Sequence, residues 1–233
     1  MSVDLRHLPL ARLDFVKPML AKLTNSLPTQ GNWLYELKLD GYRALVMNKR
    51  GTITLFSRRG NELNQRFPAL ANAFDFLPDN TIIDGEVVAL DDQGGPSFSA
   101  LQNYGPRLKS IYFYACDLLV YEGQDLRKQP LSDRRIVLEK YALPGMRDSV
   151  RVSSIFNLSA KQLIAAAKKS GLEGIIAKRV DSSRSDERLK WLKPRLVAHI
   201  EFTEWTERNH LRHSKFIGLR DDKQPMEVTK EIG

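Results

Sequence analysis

What this chain has little of narrows it before any motif is read. Its 233 residues include a single cysteine, Cys116, so no disulfide can close within it, and the composition fits a reducing, cytoplasmic compartment. No stretch approaches the ~20 apolar residues that a membrane-spanning helix needs. The opening MSVDLRHLPLARLDF lacks the continuous apolar core of a secretory signal. A membrane partner is therefore not expected. Internal repeats and low-complexity tracts are absent, which sets aside solenoid and disordered architectures. Acids are in deficit. Twenty-eight Asp and Glu against 36 Lys and Arg leave a net charge of +8, which suits a polyanionic partner such as nucleic acid.

What is present describes a globular chain, 42% hydrophobic and 27% charged, long enough for one large domain or a medium one with a small appendage. Residues 1–15 read as a leader or linker. WLYELKL, the turn-forming Asp40-Gly41 and YRALVMN read as a first strand pair, and Lys49-Arg50-Gly51 turns into TITLFS. In NELNQRFPALANAFDFL, Leu63, Phe67, Leu70 and Phe74 have helical spacing, with Pro68 dividing two short helices. TIIDGEVVAL, SIYFYACDLLVYE and EGIIAKRV read as strands and SFSALQNY as a short helix. SDRRIVLEKYA reads as a helix capped by its serine, and NLSAKQLIAAAKKSG as one with a Ser159/Gln162 capping box and a stop at Gly171. Neighbouring strands with helices inserted predict an α+β fold with antiparallel sheets.

The informative feature is charge inside apolar strands. A period of two puts Trp33, Tyr35, Leu37 and Leu39 on one face of the first strand, and Glu36, Lys38 and Asp40 on the other. That polar face is either solvated or the wall of a cleft with Lys38 as its reagent. Asp84 and Glu86 repeat the pattern in IIDGEVVAL, Glu173 in GLEGIIAKR, and Lys193 and Arg195 in KWLKPR. A buried unpaired carboxylate costs several kcal/mol, so each must be paired, solvated or metal-bound. Ordinary ion pairs account for any one strand; for the set, a shared cleft holding a divalent metal and phosphates fits better. Parity places Lys178 opposite Glu173, which reads as an outward-facing basic residue.

KLDGYR, from Lys38 to Arg43, resembles the KxDGxR nucleotidyltransferase motif of ATP-dependent DNA ligases, RNA ligases and mRNA capping enzymes. SRRGNEL from Ser57, then IIDGEVVAL, FYACDLL, EGIIAKR and KWLKPR, resemble the motifs that follow, in the family's order. PMLAKL at 18–23 and RHSKFIGLRDDK at 212–223 are similar to the ligase domain of bacterial multidomain end-joining DNA ligases. The resemblance implies an α+β nucleotidyltransferase (adenylation) domain of antiparallel sheets flanked by helices over 16–195. Residues 196–233 would then be a short remnant of an OB-type barrel. Five strands of ~5–6 residues with connections need about twice the 38 residues from Leu196 to Gly233.

The same resemblance implies a chemistry. Lys38 attacks the α-phosphate of ATP to form lysyl-AMP, with Mg2+ or Mn2+. The AMP then passes to a 5'-phosphate of nicked or broken double-stranded DNA, in a monomer working beside end-joining proteins. By family position Glu36 reads the adenine amino group, and Arg43 and Arg58 hold the ribose and phosphate side. Glu86 and Glu173 serve the ribose or the metal. Lys193 touches the α-phosphate, and Arg195 stands where a second lysine is usual. Cys116 stands where these ligases have a phenylalanine stacked on adenine, with Tyr114 on the same face. The rival expectations are an RNA ligase or GTP-using capping enzyme, and a non-catalytic DNA-binding remnant.

Overall fold

In the computed structural model the apolar runs become strands. It describes residues 4–21, 28, 30–92, 94–103, 110–156, 160–169 and 174–183, and the strand backbones 197–201, 204–205, 211–212 and 215–220. The strands are β1 (Trp33–Lys38), β2 (Tyr42–Lys49), β3 (Thr52–Ser57), β4 (Thr81–Ala89), β5 (Ile111–Tyr121), β6 (Gln124–Asp125), β7 (Val150–Val152) and β8 (Gly174–Arg179). The main sheet runs β3-β2-β4-β5-β6, all antiparallel, with β7 added parallel to β5. β1 and β8 form a separate antiparallel pair. The α+β expectation with antiparallel sheets therefore holds.

The expected pairing of the first two strands does not. Among the described residues β1 pairs with β8 alone, while β2 lies between β3 and β4. Asp40-Gly41 is thus a crossing from one sheet to the other. A Cβ on Gly41 would stand 2.3 Å from the Val87 carbonyl oxygen and 3.0 Å from Glu86 Cγ, so only glycine lets the chain pass there. The hairpin expected at Arg50-Gly51 does form, with both residues at positive φ.

Alternation in β2 decides which core each side chain joins. Ala44 and Val46 belong to the larger core, with Phe67, Phe74, Phe113, Leu101 and Leu138, under α1 (Pro68–Asn72), α2 (Phe98–Gln102) and α3 (Leu131–Val137). Leu45 and Met47 point the other way, with Ile82, Leu119 and Val120. That second face is covered at one end by Ala11, Leu13, Phe15 and Val16. The described part of the 1–15 leader or linker thus lies on the sheet, tied by Ala11 N–H to Gly123 O and Asp125 N–H to Pro9 O, both at 2.8 Å.

Three local expectations are corrected. Pro68 is the first residue of α1, and residues 64–66 before it form turns, because proline suits a helix start and disfavours helix in the residue ahead of it. α3 begins after Pro130, so Ser132 lies inside the helix and does not cap it. Leu138–Ala142 then widen into a π-helical turn. The Ser159 cap and the Gly171 stop lie outside the described residues, although α4 (Ala160–Lys169) forms as read and packs on β8 and β1.

The chain divides into compact units at Ser185/Asp186. In the second, β9 (Val197–Glu201) pairs antiparallel with β12 (Lys215–Arg220) through a bulge near Gly218, and β10 (Glu204–Trp205) pairs with β11 (Leu211–Arg212). Among the described residues these ladders do not close into a barrel.

Candidate active site

The second face of the main sheet carries apolar residues at one end and charge at the other. Arg43 continues the β2 face of Leu45 and Met47, and Asp84 and Glu86 continue the β4 face of Ile82. The β1–β8 pair presents Glu36, Lys38 and Lys178 on one face, since Leu34 lies opposite Lys178, Glu36 opposite Ile176 and Lys38 opposite Gly174. Lys38 and Arg43, five positions apart, therefore stand on different sheets on either side of the Gly41 crossing.

Glu36 is the one buried residue of β1, at 1% exposure, whereas its apolar neighbours are half-buried. The polar face is an interior one, which removes the solvated-strand reading. The Glu36 carboxylate accepts from Arg135 Nη1 at 3.3 Å, Ser153 Oγ at 2.9 Å and Lys178 Nζ at 2.7 Å. Lys178 is therefore an inward cation, and its outward reading is corrected. The parity was sound, but the reference face was Glu173's when it should have been Glu36's.

Across the gap, Arg43 binds Asp84 fork to fork, Nε to Oδ1 at 2.6 Å and Nη2 to Oδ2 at 2.9 Å. Burial alone would favour the neutral guanidine, but Asp84's charge and hydrogen bonds overcome it and hold Arg43 above its ordinary value. Glu86 faces Arg43 in register and keeps its proton up to about 7. Burial is the main cause; Arg43 and Lys38 oppose it, and Asp84 and Asp40 add to it. Lys38 thus acts on a carboxylate of the opposite sheet.

Cys116 lies in the wall between the sheets, 7% exposed, its Sγ donating to the Tyr114 carbonyl oxygen at 3.4 Å. Burial pushes its thiol up to about 11, with Lys178 and Arg43 opposing and Glu36 and Asp84 reinforcing. Tyr114, two residues along, accepts a hydrogen bond at its hydroxyl from Arg151 Nη1 at 3.2 Å, and Arg151 lies 3.9 Å over the Tyr112 ring. Tyr114 also lines a hollow of about 540 Å³ with Leu37, Leu39, Ser153 and Phe156.

The structure therefore brings Lys38, Glu36, Arg43 and Glu86 together at the two-sheet junction. Arg58 is exposed in the turn after β3, lining a groove of about 440 Å³ with Phe15, Lys17 and Arg59. Glu173, Lys193 and Arg195 lie outside the described residues. Sequence reasoning missed Arg134, Arg135 and Ser153. The signal was there, since Leu131, Arg134, Arg135 and Leu138 follow the spacing of a buried helical stripe. Among the described residues no group of three His, Cys, Asp or Glu could hold a metal by itself.

The sequence pattern of the ATP dependent DNA ligase domain family matches residues 18–195. The chain is similar to the multifunctional non-homologous end joining protein LigD of Pseudomonas aeruginosa, at 38% identity over 193 residues, 81% of this chain and 23% of that protein. LigD of Mycobacterium bovis is 28% identical over 308 positions, covering 94% of this chain and 40% of the relative. The crystal structure of the ligase domain from M. tuberculosis LigD is similar with a TM-score of 0.56 and 28% identity, covering 85% of this chain and 92% of that one. The chain spans less than half the length of these LigD proteins. Since 308 aligned positions face only 233 residues, at least 75 positions of the M. bovis protein have no counterpart here.

Proposed function

We propose, for a chain that belongs to the ATP-dependent DNA ligase domain family, that it is a self-adenylating ligase core with Lys38 as nucleophile. The observation that carries this is the placement of Lys38 at the end of β1, acting across the junction on Glu86 beside the Arg43–Asp84 pair. The amine must be neutral to attack. Arg43 and Lys178, cations in the same walls, attract the phosphates.

In the proposed reaction the Lys38 amine forms a P–N bond to the α-phosphorus of ATP as the bond to the departing pyrophosphate breaks. A 5'-phosphate oxygen of nicked DNA then takes the AMP and frees Lys38, and the DNA 3'-hydroxyl displaces AMP to join the strand. We assign Glu36, Arg43, Arg58, Lys193 and Arg195 to nucleotide binding. Glu86 and Glu173 would hold Mg2+ or Mn2+. A carboxylate that burial keeps protonated to about 7 gains most from a hard cation at its oxygens, and such ions are commonly held by one or two carboxylates plus substrate phosphates. Bound there, the ion would offset negative charge on the phosphates.

Intact-mass measurement with ATP and Mg2+ tests the proposal. One added AMP, discharged by nicked duplex DNA, is expected. A folded protein that gains no mass with ATP and either metal would overturn it, and a gain with GTP instead would assign guanylyl transfer.

A further inference from the structure

Of two adjacent arginines of α3, one reaches β1 and the other the turn that follows β8. Arg135 places Nη1 against Glu36 Oε1 of β1 at 3.3 Å and the Cys116 carbonyl oxygen of β5 at 3.2 Å. Its Nη2 donates to the Ser153 carbonyl oxygen at 2.7 Å and to Glu139 Oε1 at 3.1 Å. Arg134 binds Asp117 of β5 through Nε at 2.8 Å and Nη2 at 2.9 Å. Its Nη1 donates to the Ser182 carbonyl oxygen, just after β8, at 3.0 Å, and to that of Gln129 at 2.6 Å. Both side chains are 4% exposed. One guanidinium ties β1 to β5, and its neighbour ties the exit of β8 to β5.

We infer that Arg135, seconded by Arg134, is a positioning residue that fixes the spacing between the sheet carrying Lys38 and the sheet carrying Glu86. The faces to be spaced carry Glu36, Lys38 and Lys178, beside Leu34 and Ile176, on one side and Arg43, Asp84 and Glu86 on the other, so charged groups line the part of the gap where the distance matters. Apolar packing would in any case draw the walls together. A planar guanidinium with donors in a fixed fork keeps a set separation, which the flexible, single-point ammonium of lysine does not. The separation matters because attack on phosphorus needs the reacting atoms near 3–3.5 Å, and a shift of about 1 Å costs on the order of 100-fold in rate. The inference rests on the proposed role of Lys38 for its consequence, though not for its geometry.

The test pairs a distance with a rate. Spin labels are attached through Thr52→Cys on β3 and Arg179→Cys on β8, both exposed, in a Cys116→Ser background. In Arg135→Lys the distance distribution broadens or shifts. In the chain without labels, single-turnover lysyl-AMP formation at saturating ATP falls about 100-fold while the ATP Kd moves less than about threefold. Asn48→Ala, which removes a buried bond to the Leu77 carbonyl oxygen away from the junction, serves as the control for lost stability. Glu139→Gln, at a half-exposed position, weakens the Arg135 anchor without threatening the fold and gives a smaller rate loss in the same direction. An unchanged distance distribution in Arg135→Lys, or a rate loss no larger than that of Asn48→Ala at equal stability, overturns the inference. If Arg135→Lys does not fold, an unchanged rate in Glu139→Gln overturns it. A wild-type chain that takes up no AMP counts against the ligase reading alone, and the distance measurement then decides the spacing role.

Discussion

Arg43 and Asp84 face each other through two parallel hydrogen bonds of 2.6 and 2.9 Å, with the carboxylate 1% exposed and the guanidinium 23%. Two of the five guanidinium N–H groups are engaged, which leaves three for a ligand in the gap. The pair is at once part of the site and part of the fold, and the two roles separate by mutation.

Arg43→Met removes the guanidinium from the buried Asp84 carboxylate and is expected to cost about 3–5 kcal/mol in urea unfolding. The double variant Arg43→Met/Asp84→Leu should recover most of that stability without recovering adenylation. A cost under about 1 kcal/mol for the single variant would mean that water reaches Asp84.

Lys38→Arg keeps the charge but cannot supply a neutral amine, because guanidinium does not deprotonate in proteins. Covalent AMP should disappear from the mass spectrum while circular dichroism and the unfolding midpoint stay near wild type. Retained labelling in the folded variant would remove Lys38 from the proposed role.

Lys178 and Glu36 should be coupled. Their contact of 2.7 Å has side chains 18% and 2% exposed, so it lies well inside the range where ion pairs count. A double-mutant cycle with Glu36→Gln and Lys178→Met should give a coupling of about 1–3 kcal/mol in stability. A coupling near zero would show that Arg135 and Ser153 satisfy Glu36 without Lys178.

Glu86 sets a pH dependence. Its folded value of about 7 lies above the ordinary 4.5, first because it is buried. The stabilisation relative to an ionised group is complete below pH 4.5 and is lost as pH rises through about 7. At about 1.4 kcal/mol per pH unit, wild type should lose on the order of 3 kcal/mol relative to Glu86→Gln across that window. Parallel stability profiles from pH 4 to 8 would show the carboxylate to be hydrated.

Joining is expected to depend on more of the protein than adenylation does. At least 75 positions of the M. bovis relative have no counterpart here, and held geometry is what positions two strand ends. Pre-adenylated protein mixed with nicked duplex should transfer AMP and seal slowly in single-turnover assays. Sealing as fast as that of the Pseudomonas aeruginosa relative would refute this.

Strands β1 to β5 and β8 were legible because apolar runs of six to eleven residues bounded by turn residues admit few alternatives, whereas β6 and β7, of two and three residues, leave no such run. Their pairing was less so. Asp40-Gly41 has the composition of a hairpin turn, and only the close approach of Val87 to Gly41, invisible in one dimension, shows that it is a crossing. Lys38, Glu36 and Glu86 stand out in the sequence as charge in apolar strands, and Arg43 through its place in KLDGYR. Arg134 and Arg135 share the spacing of the buried stripe with Leu131 and Leu138, but arginines in a helix read as a solvated face until a buried carboxylate is seen opposite them. Lys178 was lost through a choice of reference residue, and cross-strand register with Leu34 restores it.

The β1–β8 ladder joins Trp33 to Arg179 and Lys38 to Gly174, so its two halves are separated by well over half the chain. Closing a loop that long is entropically slow, and contacts of such range form late. The main sheet between them pairs strands much nearer in sequence, from the β2–β3 hairpin and the β5–β6 turn to the wider β2–β4 ladder that joins Tyr42 to Val87. On the ribosome, β1 emerges early and waits unpartnered until β8 has been translated. The lysine at its end gains its Gly174 partner only at that moment. The proposed chemistry at Lys38 would thereby be tied to completed synthesis of the unit, since a chain ending before residue 174 holds that side chain on an unpaired strand.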